Sequence, residues 1–229
     1  MKLGVRTRTG DAEGEVLGTE LVMVEEQALC KSLDQFRGEI QQVPPMHSAL
    51  KRDGVPLYQH ARRGETVERQ PRRVVISSLE LLRYAVPLVE LRIRCSKGTY
   101  VRTLAEDIGA ALGCGAHLAA LRRTVSGAFR VEQAHTLDAL QDMTIEARRR
   151  ALLPLAALLA DLPRAELDAT AADRLRMGQA LKLEGLGTGL HGVFGPGGEV
   201  LGLGQAEIGG VLKALRLTQP AEKQVKSRA

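Results

Sequence analysis

Aromatic residues are scarce in this chain of 229 residues, which has no tryptophan, three tyrosines and three phenylalanines. Single-stranded nucleic acid is commonly bound by bases stacking on successive aromatic rings. So few rings disfavour an RNA-recognition-motif fold and a general single-strand platform.

Cysteine is also rare, with Cys30, Cys95 and Cys114 forming neither an even set nor a C-x-x-C pair. This disfavours a disulfide framework and a zinc knuckle, and predicts reduced, mostly buried thiols. The five histidines show no H-x-x-x-H or H-E-x-x-H spacing. We therefore expect no metal site.

Long apolar runs are missing as well. The longest, Ala151–Ala160, has ten residues and contains Pro154, whereas a membrane-spanning helix needs roughly 20. The amino-terminal residues are charged and develop no apolar segment typical of a secretory signal. The sequence predicts a globular, cytoplasmic protein.

Positive charge is concentrated in the middle of the chain. Residues 51–150 hold 18 basic and 11 acidic residues, and only 8 of the 32 basic residues in the whole chain are lysines. The planar guanidinium group suits phosphate, so these arginines favour a polyanionic partner, most simply nucleic acid. The alternative is a compositional bias that favours arginine everywhere.

The hydrophobic pattern predicts an α+β fold. Apolar spacing indicates helices over 25–36 and 101–112, a strand pair over 74–84 and 87–95, and a short helical turn over 116–123. Beyond Pro163, short apolar segments separated by glycines are typical of a small β-barrel. We expect a domain of residues 1–160, with a mixed or antiparallel sheet, a barrel of residues 161–218 and a mobile tail of residues 219–229.

One junction carries candidate functional residues. The segment Cys95–Thr103 joins a strand end, a glycine turn and a helix start, and includes Lys97, Tyr100 and Arg102. A phenol and a guanidinium group two residues apart could orient a planar substrate and pair with a carboxylate or phosphate. The alternative is an ordinary strand exit with surface charges.

Four segments, in order and spacing, resemble the TruB-type tRNA pseudouridine synthases. They are Leu3–Gly14 (LGVRTRTGDAEG), Gln42–Lys51 (QVPPMHSALK), Cys95–Thr103 (CSKGTYVRT) and Gly113–Thr124 (GCGAHLAALRRT). The glycine-rich end is similar to the PUA-like RNA-binding barrel of that family. The resemblance implies a synthase core followed by this barrel, isomerisation of a T-loop uridine of tRNA to pseudouridine, and no cofactor. We expect a monomer whose partner is the T-arm of tRNA.

The resemblance also implies roles for particular residues. Tyr100 resembles the tyrosine that contacts the flipped uracil and is a candidate base for the final proton removal, and Arg102 resembles the arginine that pairs with the catalytic aspartate. Asp11 falls at the aspartate of T-x-T-x-D-x-x-G, where an arginine or RNA partner is expected, and Leu121 resembles an apolar pocket residue. The remaining expected substrate-binding residues are basic: Lys51 and Arg52, in an insertion of residues 46–73 that resembles the clamp on the T-arm, and Lys97.

The sequence departs from the family pattern at the nucleophile. The motif that carries it, G-x-L-D-P-x-A-T-G, is absent from residues 1–229, and Asp168 in Leu167–Thr170 is only a superficial echo that lacks the proline and closing glycine. Two alternatives follow: the chain is a piece of a longer synthase, or it is a non-catalytic tRNA-binding or tRNA-folding module. In either case we expect the isolated chain to bind tRNA weakly and to make no pseudouridine. Missing strands would leave sheet edges unpaired and part of the core uncovered, so we also expect the chain alone to aggregate or to express poorly.

Overall fold

The computed structural model describes residues 1–218 and divides the chain into two compact units, Met1–Arg122 and a second that begins at Arg123. The predicted boundary between residues 160 and 161 remains a prediction. The predicted tail, 219–229, lies outside the described residues.

The first unit contains three helices and nine short or long strands among its described residues. Its strands are β1 (Lys2–Leu3), β2 (Val5–Thr7), β3 (Val16–Thr19), β4 (Gly38–Gln42), β5 (Lys51–Arg52), β6 (Val55–Pro56), β7 (Arg72–Ala85), β8 (Leu88–Cys95) and β9 (Ala116–His117). Its helices are α1 (Glu26–Asp34), α2 (Leu57–Arg62) and α3 (Val101–Ala111). The helices and the long strand pair predicted from the apolar spacing are confirmed.

The main sheet of this unit has the order β4-β7-β8-β1-β9, and all its neighbouring pairs are antiparallel. On β8, Val89 is buried and Leu91 is half-buried, whereas Glu90 and Arg92 are exposed. This alternation lets one face of the sheet pack against α1 and α3. The core so formed comprises Leu3, Leu29, Leu33, Ile76, Leu79, Val89, Leu104, Ile108, Cys114 and Ala116.

The predicted helical turn over 116–123 is wrong. Gly113 and Gly115 have φ values of 76° and 69°, in the left-handed region that turns the chain out of a helix. Ala116 then pairs with Leu3, and the short strand β9 extends the sheet. Tertiary pairing therefore overrides the local apolar pattern.

The prediction of mostly buried thiols is also wrong. Only Cys114 is buried, whereas Cys30 and Cys95 are exposed. Cys30 lies on α1 beside the buried Leu29 but turns away from the core, and Cys95 is the last residue of β8.

The second unit combines short helices with a five-stranded sheet. Its strands are β10 (Val125–Ser126), β11 (Phe129–Arg130), β12 (Arg164–Glu166), β13 (Leu181–Lys182), β14 (Gly189–Phe194), β15 (Val200–Glu207) and β16 (Val211–Leu217). Its helices are α4 (Leu137–Asp142), α5 (Ile145–Ala151) and α6 (Ala169–Arg176), with 3₁₀ turns at Val131–Gln133 and Leu155–Leu159.

The larger sheet of this unit has the order β12-β14-β15-β16-β13. The β12–β14 pair is parallel and the other pairs are antiparallel. Buried side chains from the sheet and α6 form a separate core that includes Leu167, Leu175, Val193, Leu201 and Leu212. The predicted α+β class is confirmed.

Candidate functional site

A short turn after β8 presents the first residues of α3. Thr99 donates from its hydroxyl to the carbonyl of Ser96 at 2.9 Å, and Gly98 has a φ of 86° that an L side chain rarely adopts. Tyr100 is the extended residue before the helix, with φ −98° and ψ 105°, and its carbonyl accepts from the Leu104 N–H at 3.0 Å. The turn thus fixes where α3 starts and places Arg102 in its first turn.

The guanidinium group of Arg102 joins three segments of the first unit. Its Nη1 donates to Asp11 Oδ2 at 2.9 Å and to the Thr9 carbonyl at 3.3 Å, and its Nη2 donates to the His47 carbonyl at 2.7 Å. The side chains of Arg102 and Asp11 are 25% and 26% exposed, so this ion pair is screened less than a surface pair. The structure therefore brings together two of the sequence-predicted site residues.

Asp11 is held in its loop by hydrogen bonds to its side chain and by a bridge to its backbone. Its Oδ1 accepts from the Thr9 hydroxyl at 2.6 Å and from the Glu13 N–H at 3.3 Å, and its backbone forms a parallel bridge with Leu118. Burial raises the pKa of Asp11, but the hydrogen bonds from Thr9, Arg102 and the Glu13 N–H, with the charge of Arg102, lower that pKa below its ordinary value. Asp11 is held as an anchored carboxylate.

A second carboxyl group lies one helical turn beyond Arg102. Burial, together with the nearby charge of Asp107, raises the pKa of Glu106, while the charge of Arg102 opposes this shift. Glu106 lies so close to Gly10 that a Cβ at that glycine would approach its carboxyl carbon to 2.8 Å. Arg102 is therefore flanked by the Asp11 loop and by a half-buried glutamate on its own helix.

The predicted basic insertion, residues 46–73, contains the short strands β5 and β6 and the short helix α2. Strands β5 and β6 form a hairpin whose turn residues, Asp53 and Gly54, have φ values of 51° and 82°, as the Asp-Gly pair predicts. Lys51 and Arg52 are exposed on β5, and Arg52 contacts Asp53 at 3.6 Å and the Glu68 carbonyl at 3.4 Å. These two basic residues therefore sit on the hairpin, where their charges face solvent.

The other sequence-predicted residues lie before and after Arg102 in the chain. Lys97 is exposed in the turn before Tyr100. Leu121 is 59% exposed and lies three residues after Leu118, whose backbone forms the bridge with Asp11. In the second unit, Asp168 is the N-cap of α6 and accepts from the Ala171 N–H at 2.7 Å, which gives its carboxylate a helix-capping role.

Sequence reasoning missed three contributors to the site. Gln42 contacts the Tyr100 backbone through its side chain and His47 contacts Arg102 through its carbonyl, both from distant segments, whereas Glu106 interacts with the charge of Arg102 on the same helix. Only Glu106 had a local signal, because residues four apart on a helix share a face.

Two further features bear on other classes of protein. Within residues 1–218, no helix combines the length and apolar character required to cross a bilayer. Among the same residues, no group of three or more histidine, cysteine, aspartate or glutamate side chains is arranged to hold a metal ion.

Family models match almost the whole described chain. Residues 1–101 match the TruB family pseudouridylate synthase (N terminal domain), residues 102–160 the tRNA pseudouridylate synthase B C-terminal domain, and residues 163–218 the C-terminal domain of pseudouridine synthase II TruB.

Curated relatives are identical to this chain at about half or more of the aligned residues. The tRNA pseudouridine synthase B of Burkholderia mallei (strain NCTC 10247) is 58% identical over 186 residues, which are 81% of this chain and 62% of the relative. That of Thiobacillus denitrificans is 51% identical over 209 residues, which are 91% of this chain and 70% of the relative. The chain thus spans less than two thirds of the length of the Burkholderia relative and 70% of that of the Thiobacillus relative.

Solved structures show the same fold. The chain resembles a chain of a Cbf5-Nop10-Gar1 complex with a TM-score of 0.70 and 26% identity, covering 89% of this chain and 65% of the other. A chain of an archaeal box H/ACA sRNP Nop10-Cbf5 complex matches with a TM-score of 0.63 and 25% identity, covering 85% and 62%. The three family models and the curated relatives together show that this chain belongs to the TruB family of pseudouridylate synthases.

Proposed function

We propose that this chain provides the RNA-binding and base-positioning part of a tRNA pseudouridine synthase that acts on a T-loop uridine. The observation that carries the proposal is the pair of contacts that Arg102 makes with Asp11 and with the His47 carbonyl. These contacts connect the Asp11 loop and the start of the basic insertion to Arg102, which lies two residues after Tyr100. The relatives named tRNA pseudouridine synthase B support tRNA as the substrate.

The reaction explains why these residue types are needed. An enzyme that breaks the glycosidic bond of a uridine and rejoins the ring through carbon must first extrude the base from its stack. It must then hold the face of the base against a phenol or apolar wall and present one carboxylate as the nucleophile. Tyr100 and Leu121 would supply the wall, and Tyr100 is also the candidate base for the final proton removal.

Arg102 would hold the reacting carboxylate ionised, since a neighbouring positive charge lowers the pKa of a carboxyl group. Its Nη1 already pairs with Asp11, so Asp11 would serve to orient the guanidinium group. Lys51, Arg52 and Lys97 are exposed and would contact RNA phosphates, which position a nucleic acid without reading its sequence.

The nucleophile motif G-x-L-D-P-x-A-T-G is absent from residues 1–229. We therefore expect this chain alone to bind tRNA without converting uridine. A non-catalytic tRNA-binding module is the second candidate, and this absence is the observation that favours it.

A T-arm stem-loop RNA tests binding and chemistry together. We expect the purified chain to bind it in a fluorescence-polarisation titration and to form no pseudouridine, as measured by mass spectrometry after selective labelling. Lys97→Gln should weaken binding by about three- to tenfold and reduce the slope of log affinity against log salt by about one.

Lys31→Gln is the matched control, because Lys31 is exposed on α1 away from the predicted site residues in sequence. Formation of pseudouridine by the isolated chain would refute its predicted inactivity. Absence of RNA binding, or equal losses for both lysine variants, would refute the proposed binding site.

A further inference from the structure

The backbone of Tyr100 is held by a side chain that comes from 58 residues earlier in the sequence. Gln42 donates from Nε2 to the Tyr100 carbonyl at 3.1 Å, and its Oε1 accepts from the Tyr100 N–H at 2.8 Å. Only one orientation of the amide satisfies both bonds, because its nitrogen donates and its oxygen accepts. The side chain thus pairs with Tyr100 as a neighbouring strand would.

Gln42 is unusually placed for such a polar residue. It is 2% exposed, ends β4, and lies opposite Arg72 of β7, while its neighbour Gln41 is exposed. A buried amide is costly unless its hydrogen bonds are made. Because both of its polar atoms are used on one residue, the amide specifies the position of Tyr100 and would lose its partners if Tyr100 shifted.

The same contact joins the parts that build the site. Gln42 is followed by Val43 and the two prolines that lead into the insertion, and Tyr100 precedes the first turn of α3. The Tyr100 carbonyl accepts from both Gln42 and the Leu104 N–H. The start of α3, and with it Arg102, is therefore fixed by the end of β4.

We propose that Gln42 is a positioning residue that sets Tyr100 for contact with the substrate base. The proposal rests on the proposed function, since that function supplies the role of Tyr100. Gln42 itself need not touch the RNA, because its action passes through the Tyr100 backbone.

Gln42→Glu provides a chemical switch at nearly constant shape. The ionised carboxylate can accept from the Tyr100 N–H but repels its carbonyl, whereas the protonated acid regains a donor. Burial raises the pKa of a carboxyl group, so the switch should lie above about pH 4.3. Arg72 is the register partner of Gln42 on β7, and Arg102 lies two residues after Tyr100 on α3. Arginine keeps its charge throughout this range, so neither residue adds a titration of its own.

Two readouts are measured on the full chain from about pH 5 to about pH 8: the ¹H–¹⁵N resonance of Tyr100 and the affinity for the T-arm stem-loop RNA. For Gln42→Glu, the resonance should shift with pH, and RNA affinity should be near that of the wild type at low pH and about tenfold weaker at high pH. Gln41→Glu adds the same charge at the exposed neighbour and should show neither effect.

Gln42→Met keeps a similar side-chain volume but forms neither hydrogen bond, so it should weaken RNA binding at every pH. Hydrogen exchange of the wild-type Tyr100 N–H gives a measurement that needs no variant, and this N–H should be strongly protected. A wild-type N–H that exchanges rapidly would overturn the inference even if both variants failed to fold.

Other outcomes distinguish the positioning role of Gln42 from the proposed function of the chain. If the wild-type chain binds the RNA but Gln42→Glu loses affinity equally at all pH values, or keeps it, the role of Gln42 is refuted alone. If the wild-type chain binds no T-arm RNA, the proposed function is refuted, and the positioning role is refuted with it even where the Tyr100 resonance titrates.

Discussion

Arg102 organises its surroundings through hydrogen bonds to main-chain atoms as well as through its charge. Two of its three contacts are to the carbonyls of Thr9 and His47, and only the third is to a carboxylate. Hydrogen bonds from a charged donor are worth more than neutral ones when they are partly shielded from water. The arginine therefore fixes the path of two loops while it remains paired with Asp11.

Glu106 makes the free energy of unfolding depend on pH. Its pKa is raised in the folded chain, so between about pH 4.3 and that raised value the folded state binds more protons than the unfolded state. The free energy of unfolding consequently falls as pH rises through this window and is constant, for this group, above it. The ionised Glu106 is thus a source of instability at neutral pH.

Replacing Glu106 by Gln should remove that instability. We expect Glu106→Gln to raise the free energy of unfolding at neutral pH by a few tenths to about 1 kcal/mol, because the carboxyl is only partly shielded from solvent. The gain should disappear below about pH 4, where the wild-type group is protonated in both states. Urea unfolding at a series of pH values measures it.

The exposed Glu68 supplies the control. Glu68→Gln should leave stability almost unchanged at each pH. A Glu106→Gln chain that is less stable than the wild type at neutral pH would show that the attraction of Glu106 to Arg102 outweighs its burial.

Helix α3 connects the site to the core of the first unit. It carries Arg102 and Glu106, buries Leu104 and Ile108, and brings Gly109 against the backbone that leads into β9. A Cβ at Gly109 would lie 2.3 Å from the Ala116 backbone nitrogen. The glycine therefore allows a close approach between helix and strand that no larger residue permits.

This close approach reverses the usual effect of alanine in a helix. An exposed helix-interior Gly→Ala change is normally stabilising by about 1 kcal/mol, but here the backbone must shift. We expect Gly109→Ala to destabilise the chain by about 1–3 kcal/mol, measured by urea unfolding, and to weaken RNA binding because α3 moves with it.

Gly113 offers a comparison two residues beyond the end of α3. It has a φ of 76°, and a Cβ at this position would meet no other atom within 4 Å. Gly113→Ala should therefore cost about 1–2 kcal/mol from backbone strain alone. A Gly109→Ala chain that is more stable than the wild type would contradict the steric argument.

Charge is the property of the whole molecule that bears most directly on its partner. The chain has a formal net charge of +5, and the excess lies in residues 51–150, which span parts of both units. The predicted tendency of the isolated chain to aggregate stays a prediction, for which exposed Leu21, Met23 and Ile208, at 82%, 85% and 91%, provide a physical reason.

The affinity for T-arm RNA should therefore fall steeply with salt. Binding that neutralises several phosphates releases counterions, so we expect at least about a tenfold loss between roughly 50 and 200 mM salt. Fluorescence polarisation over that range measures the slope. A change below about twofold would favour the alternative that the arginines reflect composition rather than phosphate binding.

The sequence by itself determined the features that depend on near neighbours in the chain. Alternation along β8 indicated its buried face, the spacing of Leu104 and Ile108 indicated α3, and the Asp-Gly pair indicated the turn of the insertion hairpin. The resemblance of four segments to a family further identified Tyr100, Arg102 and Asp11 as candidate site residues. The structural patterns each lie within about a dozen residues, whereas the resemblance also uses the order and spacing of its four segments.

The tertiary structure alone decided which of these residues meet. The contact of Arg102 with Asp11 spans 91 residues and that of Gln42 with Tyr100 spans 58, and neither separation has a periodicity that a sequence pattern can express. Likewise, Ala116 becomes a strand because Leu3 lies beside it. Local propensity is weak beside the gain from pairing backbone groups in a buried sheet, so the sheet order, rather than the local sequence, sets the geometry of the site.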